Sequence, residues 1–469
     1  TGPATTSTSA AGTDPFRQDY AVFNMQPYWG RMQAVTSGTD FMRYNAPTYL
    51  PQEPREDDDA YQTRVQRSVL SPYTVRLIEN AAGLVLRRPI KVEGDSYWTE
   101  FSDNVDGLGS SINEYARGAL VSALTYGHSG ILVDFPADAG VRTLAEERAL
   151  GRRPYFNHID AFQIWGWRQE NSLPSSDLTQ LRLHQWTTVP EGEYGEKRVE
   201  EIRVIYRDSW QLFRRGHDYD STLPTQNGAL PLGEIPFVPI YTNRLGMLIS
   251  SPPLIDIANL NITHYQRQAD LIHALHIAAM PILILEGWDE SDNASVGVNY
   301  ALAMQPGNKA YYVGADSSSF TAQQNEIQAL ESQMSTLGVT KLLGQKFVAE
   351  SADAKRIDQA QANSVLAIIA MELESALQQA YDLAARYIGI KPPTIILEKD
   401  FDFYRLLGQD IAVLGDLARD GLLTQDAFLK ILRQGEIMPD TIDINKELAA
   451  TQQLANEKRE KEVEPEPVE

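Results

Sequence analysis

Apolar residues recur at helical spacing through residues 57–86. Tyr61, Val65, Val69, Tyr73, Leu77, Ala81 and Leu84 follow one another by fours and a three. Arg64, Arg67, Glu79 and Arg87 occupy the strip beside them. Pro72 interrupts the run and predicts two helices, or one kinked near residues 70–71. Pro89 ends it, and Ile90-Lys91-Val92 reads as extended. Ahead of this block, residues 16–54 are aromatic-rich and read as loop with one short helix over 27–36. Residues 111–126 predict an amphipathic helix with Ile112, Tyr115, Ala119 and Ala123 on one side, stopped by Gly127.

The period then changes. Residues 130–135, 155–159, 162–168, 180–188, 200–207, 209–214 and 236–241 read as strands separated by Pro, Gly and charged turns, with a hairpin at residues 192–195. So many antiparallel hairpins argue against a doubly wound nucleotide fold. At Ser251-Pro252-Pro253 the helical period returns. From 254 to 279 neither Gly nor Pro occurs, which predicts a helix of about 39 Å. Asp256, Asn259, Thr263, Arg267, Asp270 and His273 form a straight polar stripe on its otherwise apolar surface. A helix with one wet face can line a passage; an ordinary surface helix shows the same pattern.

Residues 282–286 and 309–313 read as strands, and 321–337 as a helix ended by Gly338. Residues 339–355 are less regular. A long helix is predicted over 357–388, with a stripe of Ala362, Leu366, Ile369, Leu373, Leu377, Ala380, Ala384 and Tyr387. A strand at 394–397 and helices at 404–418 and 424–432 follow, the last capped by Thr424. The small polar residues 1–15 and the final ten, with Glu464-Pro465-Glu466-Pro467, are expected to be disordered.

Composition changes the picture in three ways. A chain of 469 residues predicts several modules rather than one core. The absence of cysteine excludes disulfides and thiolate zinc sites, and fits folding in a reducing cytoplasm. A net charge of −22 excludes a grip on DNA by broad phosphate neutralisation. No uncharged apolar run reaches the ~18 residues of a membrane helix. The first 14 residues lack the basic start and apolar core of a secretory leader.

Candidate chemistry is sparse. His273 and His276 share a helical face, but no third ligand stands near them in the sequence, so no metal site is assigned. Gly338 and Gly344 bracket five residues rather than the four of a phosphate loop, and no Gly-Lys-Ser/Thr follows. No catalytic motif is present, which predicts neither an enzyme nor a cofactor. Trp165, Trp167, Trp186 and Trp210 lie on strands with few bases between them, as core or subunit contacts would; base stacking is the other reading. Two clusters remain. Lys341, Gln345 and Lys346 group in the irregular segment. Trp288 sits among Asp289, Glu290 and Asp292, an aromatic in an acidic turn of the kind that anchors interfaces.

The order of several short patterns resembles that of tailed-bacteriophage portal proteins (head-tail connectors), in particular a portal-like branch of temperate and environmental phages. Tyr49-Leu50-Pro51 precedes the helical block, and Thr125-Tyr126-Gly127 ends a helix. Strand Gly130-Ile131-Leu132-Val133-Asp134, Arg153-Pro154-Tyr155 and Phe162-Gln163-Ile164-Trp165-Gly166-Trp167-Arg168 follow. Glu398-Lys399-Asp400-Phe401 and Asp420-Gly421-Leu422-Leu423-Thr424 close the series, which spans residues 23–444.

The resemblance implies an α+β portal fold. Its parts would be a flexible arm (1–22), mixed wing (23–250), first stem helix (251–279), small β clip (280–320) and second stem helix (321–337). A channel loop (338–356), long wing helix and strand (357–400), helical crown (401–446) and charged tail (447–469) would complete it. It also implies a homo-oligomeric ring, usually of twelve, at one capsid vertex of a virion assembled in the host cytoplasm. Double-stranded DNA would pass through without sequence preference. Terminase large subunit, then a head-completion adaptor, would dock on the ring, and major capsid or scaffolding protein would assemble around it. Asp256, Asn259, Thr263, Arg267, Asp270, Lys341, Gln345 and Lys346 would then line the channel. Trp288, Asp289, Glu290 and Asp292 would face the docking partners. Another ring-forming connector or assembly protein, or more remotely a DNA-processing enzyme, is the alternative.

Overall fold

The computed structural model describes residues 14–136, 152–170, 178–216, 218–279, 282–286, 309–313, 317–338, 352–399, 408–420, 422–434, 437–438, 442, 444, 446–451 and 453. The expectations for residues 1–13, for the last ten residues, for Trp288, Asp289, Glu290 and Asp292, and for Lys341, Gln345 and Lys346 lie outside them. The chain divides into two compact units, Thr1–Asp400 and Phe401–Glu469.

The segment expected to be loop is helical: α1 (Tyr20–Ser37), α2 (Thr39–Tyr44) and α3 (Ala46–Tyr49). The expected helix began at residue 27, whereas α1 begins at Tyr20. In the structure Pro27 lies on the exposed side of α1, while Val22, Met25, Trp29, Met32 and Val35 are buried on the other. That burial outweighs the ~3 kcal/mol cost of an interior proline. The next block is two helices, α4 (Asp58–Arg67) and α5 (Tyr73–Val85), rather than the one kinked helix that Pro72 also allowed. The apolar stripe does not carry through the break. Tyr61 and Val65 are buried on α4, but Val69 is exposed. On α5 the buried residues are Thr74, Ile78, Ala81, Ala82 and Val85 rather than Tyr73, Leu77 and Leu84. The non-helical residues 68–72 reset the helical phase.

After β1 (Lys91–Glu93) and the short α6 (Ser96–Ser102), α7 (Ile112–Tyr126) is fixed at both ends. Ser111 and Glu114 form a reciprocal capping box. Gly127 ends α7 with φ 91°, and a Cβ there would fall 2.8 Å from the Ser251 backbone. Ile112, Tyr115, Ala119 and Ala123 are all buried, as their spacing predicts.

Two antiparallel sheets follow. β2 (His128–Asp134) lies between β3 (Tyr155–Asp160) and β9 (Phe237–Tyr241). β4 (Ile164–Gln169), β5 (Leu178–Glu191), β6 (Gly195–Tyr206), β7 (Ser209–Arg215) and β8 (Gln226–Ala229) form a meander in chain order. Leu132, Ile159 and Phe237 on one face of the small sheet join Ile164, Leu181, Leu183 and Ile205 of the large one. The opposite face meets helices: Ser129 donates to Ala119 O of α7 at 2.8 Å, and Phe156 packs on Tyr115, Phe101 and Tyr381 at 5.3–5.8 Å between rings. Every residue of β2 is therefore buried. His128 among them is held neutral by burial, its pKa pushed down to about 4.

A two-residue-paired turn, β10 (Arg244–Gly246) with β11 (Ile249–Ser250), leads into α8 (Ile255–Ala278). β12 (Ile282–Glu286) pairs antiparallel with β13 (Lys309–Val313), and α9 (Ser317–Gly338) returns. The 37-residue α10 (Ala352–Ile388) spans about 55 Å. It buries Leu366, Ile369, Leu373, Leu377, Ala380 and Ala384 of the predicted stripe, while Tyr387 is half-buried. β14 (Thr394–Ile396) then pairs with β1. The fold class is α+β, as expected. In the second unit, α11 (Gly408–Arg419) precedes α12 (Gln425–Gln434), whose Thr424 Oγ1 accepts from Ala427 N at 3.2 Å.

Candidate functional site

The candidate site is the arm made by α8, the β12–β13 hairpin and α9. Its first half is anchored by polar groups on the inward face of α8. Asn261 is fully buried and its Oδ1 accepts from Thr74 N (3.3 Å) and Thr74 Oγ1 (3.1 Å); its Nδ2 donates to Ser71 O (3.0 Å). α5 has no side-chain cap of its own, because Pro72 occupies that place, and Asn261 supplies one from α8. Tyr265 and Ser68 share a buried hydroxyl hydrogen bond of 2.7 Å. Gln266 Nε2 donates to Tyr49 O at 2.9 Å. Around them Ala34, Met42, Ala46, Leu50, Tyr61, Val65, Leu70 and Ala269 form one apolar cluster.

Arg64 locks the same region. Buried on α4, it donates to both oxygens of Glu56 (2.8 and 2.7 Å), to Pro51 O (2.8 Å) and to Asp270 of α8 (3.0 Å). These hydrogen bonds hold the Glu56 carboxyl below the usual carboxylate range. Burial pushes Asp270 the other way, above its ordinary value, despite Arg64 beside it.

α9 runs antiparallel beside α8, since Arg267 meets Glu326 (3.1 Å) and His264 Nε2 meets Glu331 (3.2 Å). His264 is buried and lies edge-on to Tyr73 of α5 at 5.5 Å. Gly338 ends α9 against α5, where a Cβ would meet the Leu77 side chain. Beyond residue 272 the arm changes character. Leu275 and Ile277 are 40% and 59% exposed, and Tyr311 on the hairpin is also exposed.

The predicted stripe is thus divided. Asp256 and Arg267 are exposed. Asn259 Oδ1 accepts from Arg31 Nη1 at 3.0 Å, Thr263 Oγ1 donates to Asn259 O at 3.1 Å, and Asp270 is held by Arg64. Asn261 and Gln268, seven residues apart and so on one side of the helix, stand opposite that stripe and are not part of it. That recurrence on an apolar face was the available signal. Of the tryptophans, Trp167 and Trp210 pack against the sheet core, Trp165 stacks on His184 at 4.3 Å, and Trp186 remains 50% exposed.

Among the described residues, no group of three metal-ligating side chains converges, and no helix is long and apolar enough to cross a membrane.

Residues 253–388 match the family model described as a domain of unknown function, DUF4055. The match begins just before α8 and ends with α10. No curated protein sequence matches the chain. Among solved structures, it is similar to a chain of the neck of an empty GTA particle computed with C6 symmetry, at 12% identity and TM-score 0.42, covering 85% of this chain and 99% of that one. A chain from the virion of a native gene transfer agent particle gives 14% identity and TM-score 0.41, with the same coverages. One from the neck of a native GTA particle computed with C12 symmetry gives 12% and 0.38, covering 81% and 93%. Likeness at this level does not by itself assign a role.

Proposed function

We propose that the chain is the subunit of a portal-type connector ring at one capsid vertex of a tailed-phage-like particle. The carrying observation is the arm: a helix anchored in the helical layer over its first half, a β hairpin, and an antiparallel helix that returns to the same layer. A helix that leaves the body with Leu275 and Ile277 uncovered fits a ring, in which neighbouring copies supply the missing surface. The exposed Asp256 and Arg267, with Asn259, Thr263 and Asp270 beside them, would face the channel. A chain carrying −22 suits a wall past which DNA slides without being held.

In this reading Lys341, Gln345 and Lys346 touch phosphates during passage. Trp288, Asp289, Glu290 and Asp292 meet terminase large subunit and then the head-completion adaptor. The ring would nucleate the procapsid with major capsid or scaffolding protein, and ATP hydrolysis would belong to terminase. Electron microscopy of the purified full chain tests it. Rings of about twelve copies with a hole wide enough for a duplex are expected. Rings too narrow for a duplex would favour another kind of connector, and a strict monomer at micromolar concentration would overturn the ring.

A further inference from the structure

The five-stranded sheet carries complementary surfaces at its two ends. β5 and β6 pair without interruption from Gln180↔Tyr206 to Glu191↔Gly195. β4 covers β5 only as far as Leu183, and β7 covers β6 only from Glu200 onward. The remainder projects as a two-stranded ribbon, and residues 190–196 at its tip are all exposed. The tip bears Glu191, Glu193, Glu196 and Tyr194, the last 90% exposed. The nearest bases are engaged: Lys197 pairs with Asp218 at 2.7 Å, and Arg198 lies over Trp186 at 4.7 Å.

At the other end, residues 14–19 cross the sheet as a strap. Phe16 is buried among Ile202, Val204 and Phe213, and Trp165 Nε1 donates to Phe16 O at 2.6 Å. Strap and sheet enclose a cavity of about 400 Å³ whose lining includes Arg17, Gln18, Arg168, Arg182, Tyr206 and Phe213. The acids there are already paired, Asp14 with Arg215 and Asp19 with Arg182. Arg17 and Arg168 are exposed and, among the described residues, have no acidic partner. Two buried donors of the lining, Gln18 Nε2 and Arg182 Nε, have no acceptor among the described residues. The cavity is short of negative charge and of acceptors, which are what the ribbon tip presents.

A single chain cannot join the two. From Arg182 to Glu191 the strand is continuous for nine residues, about 30 Å, and a paired ribbon does not fold back on itself. Residues 1–13, which precede the strap, contain no acid. The occupant that matches in charge and reach is another copy.

We propose that the tip at residues 190–196 of one copy seats in the arginine cavity of the next. Tyr194 enters between strap and sheet, and Glu191, Glu193 and Glu196 meet Arg17 and Arg168. Donor and acceptor are different patches, so the contact is head-to-tail and propagates around a ring. The contact rests on the ring reading and names the surface that would build it.

The test uses the full chain and light scattering. The variants E191K/E193K/E196K and R17E/R168E should each raise the concentration for half-assembly about tenfold or more. Mixed in equal amounts they should assemble again, because reversed tips then meet reversed cavities. The chain has no cysteine, so Glu193→Cys with Arg17→Cys should give an oxidation-dependent ladder of covalent multimers. Rings that form normally in both charge variants, with no ladder, would overturn this contact and leave the ring standing. Weakening by R17E/R168E alone would assign the cavity to another anion and also overturn it. A wild-type chain that stays monomeric would sink the ring reading itself, and the contact with it.

Discussion

The two ends of α8 differ in what surrounds them, although the more apolar of the two in sequence, residues 275–279, is the less covered. Over residues 257–271 the helix lies against α1, α4 and α5, and polar pairs fix its position: the buried Asn261 with Thr74 and Tyr265 with Ser68, and the half-buried Asp270 with Arg64. Over residues 275–279 it leaves that layer with apolar side chains in the open. Apolar contact alone tolerates sliding by a turn, whereas buried hydrogen bonds are satisfied in one register only. One end of the rod is therefore specified within the chain. The other is left for a neighbour to cover.

Breaking the anchored end should have the largest effect. Arg64→Ala removes the buried guanidinium that holds the half-buried Glu56, Pro51 O and Asp270, and should cost about 2–3 kcal/mol in urea unfolding at concentrations where the chain is monomeric. A loss below ~1 kcal/mol would show that the network does not hold α8 in place. Asn261→Leu removes the borrowed cap of α5 and strands Thr74 N and Ser71 O; about 1–3 kcal/mol should be lost. Retained stability in that variant would mean that water or a shifted helix replaces the amide.

The smallest effect on stability belongs to the projecting end. Leu275→Ser with Ile277→Ser should change monomer unfolding by no more than about 0.5 kcal/mol, since both side chains are exposed. The same double change should lower the ring fraction seen by light scattering. A large stability loss in the monomer would show that this end is packed within its own chain after all.

Much of the element order was legible from local signals. Pro72 separated α4 from α5, Ser111 and Gly127 bounded α7, and the repeats through residues 366–384 marked the buried face of α10. These signals work because caps, breaks and apolar periods act within a few residues of where they are written. Local signals also misled. The short helix expected over 27–36 left out the first turns of α1, and the stripe through Val69 and Tyr73 assumed a helical phase that the non-helical residues 68–72 do not keep.

The sequence by itself determined that the chain is α+β, acidic, without cysteine, and that a long helix, two short strands and a second helix follow one another after residue 253. Those properties depend on composition and on periods of two and 3.6, which each segment carries alone. Only the tertiary structure decided that Arg64 is buried rather than on the surface, and that Asn261 caps a helix 187 residues earlier. It also decided that the strap at residues 14–19 leaves an arginine-lined cavity about 30 Å of strand away from an acidic tip. Each of these depends on partners far apart in the chain. A residue's own neighbourhood in sequence holds no record of which distant charge or backbone group will meet it when the layers pack.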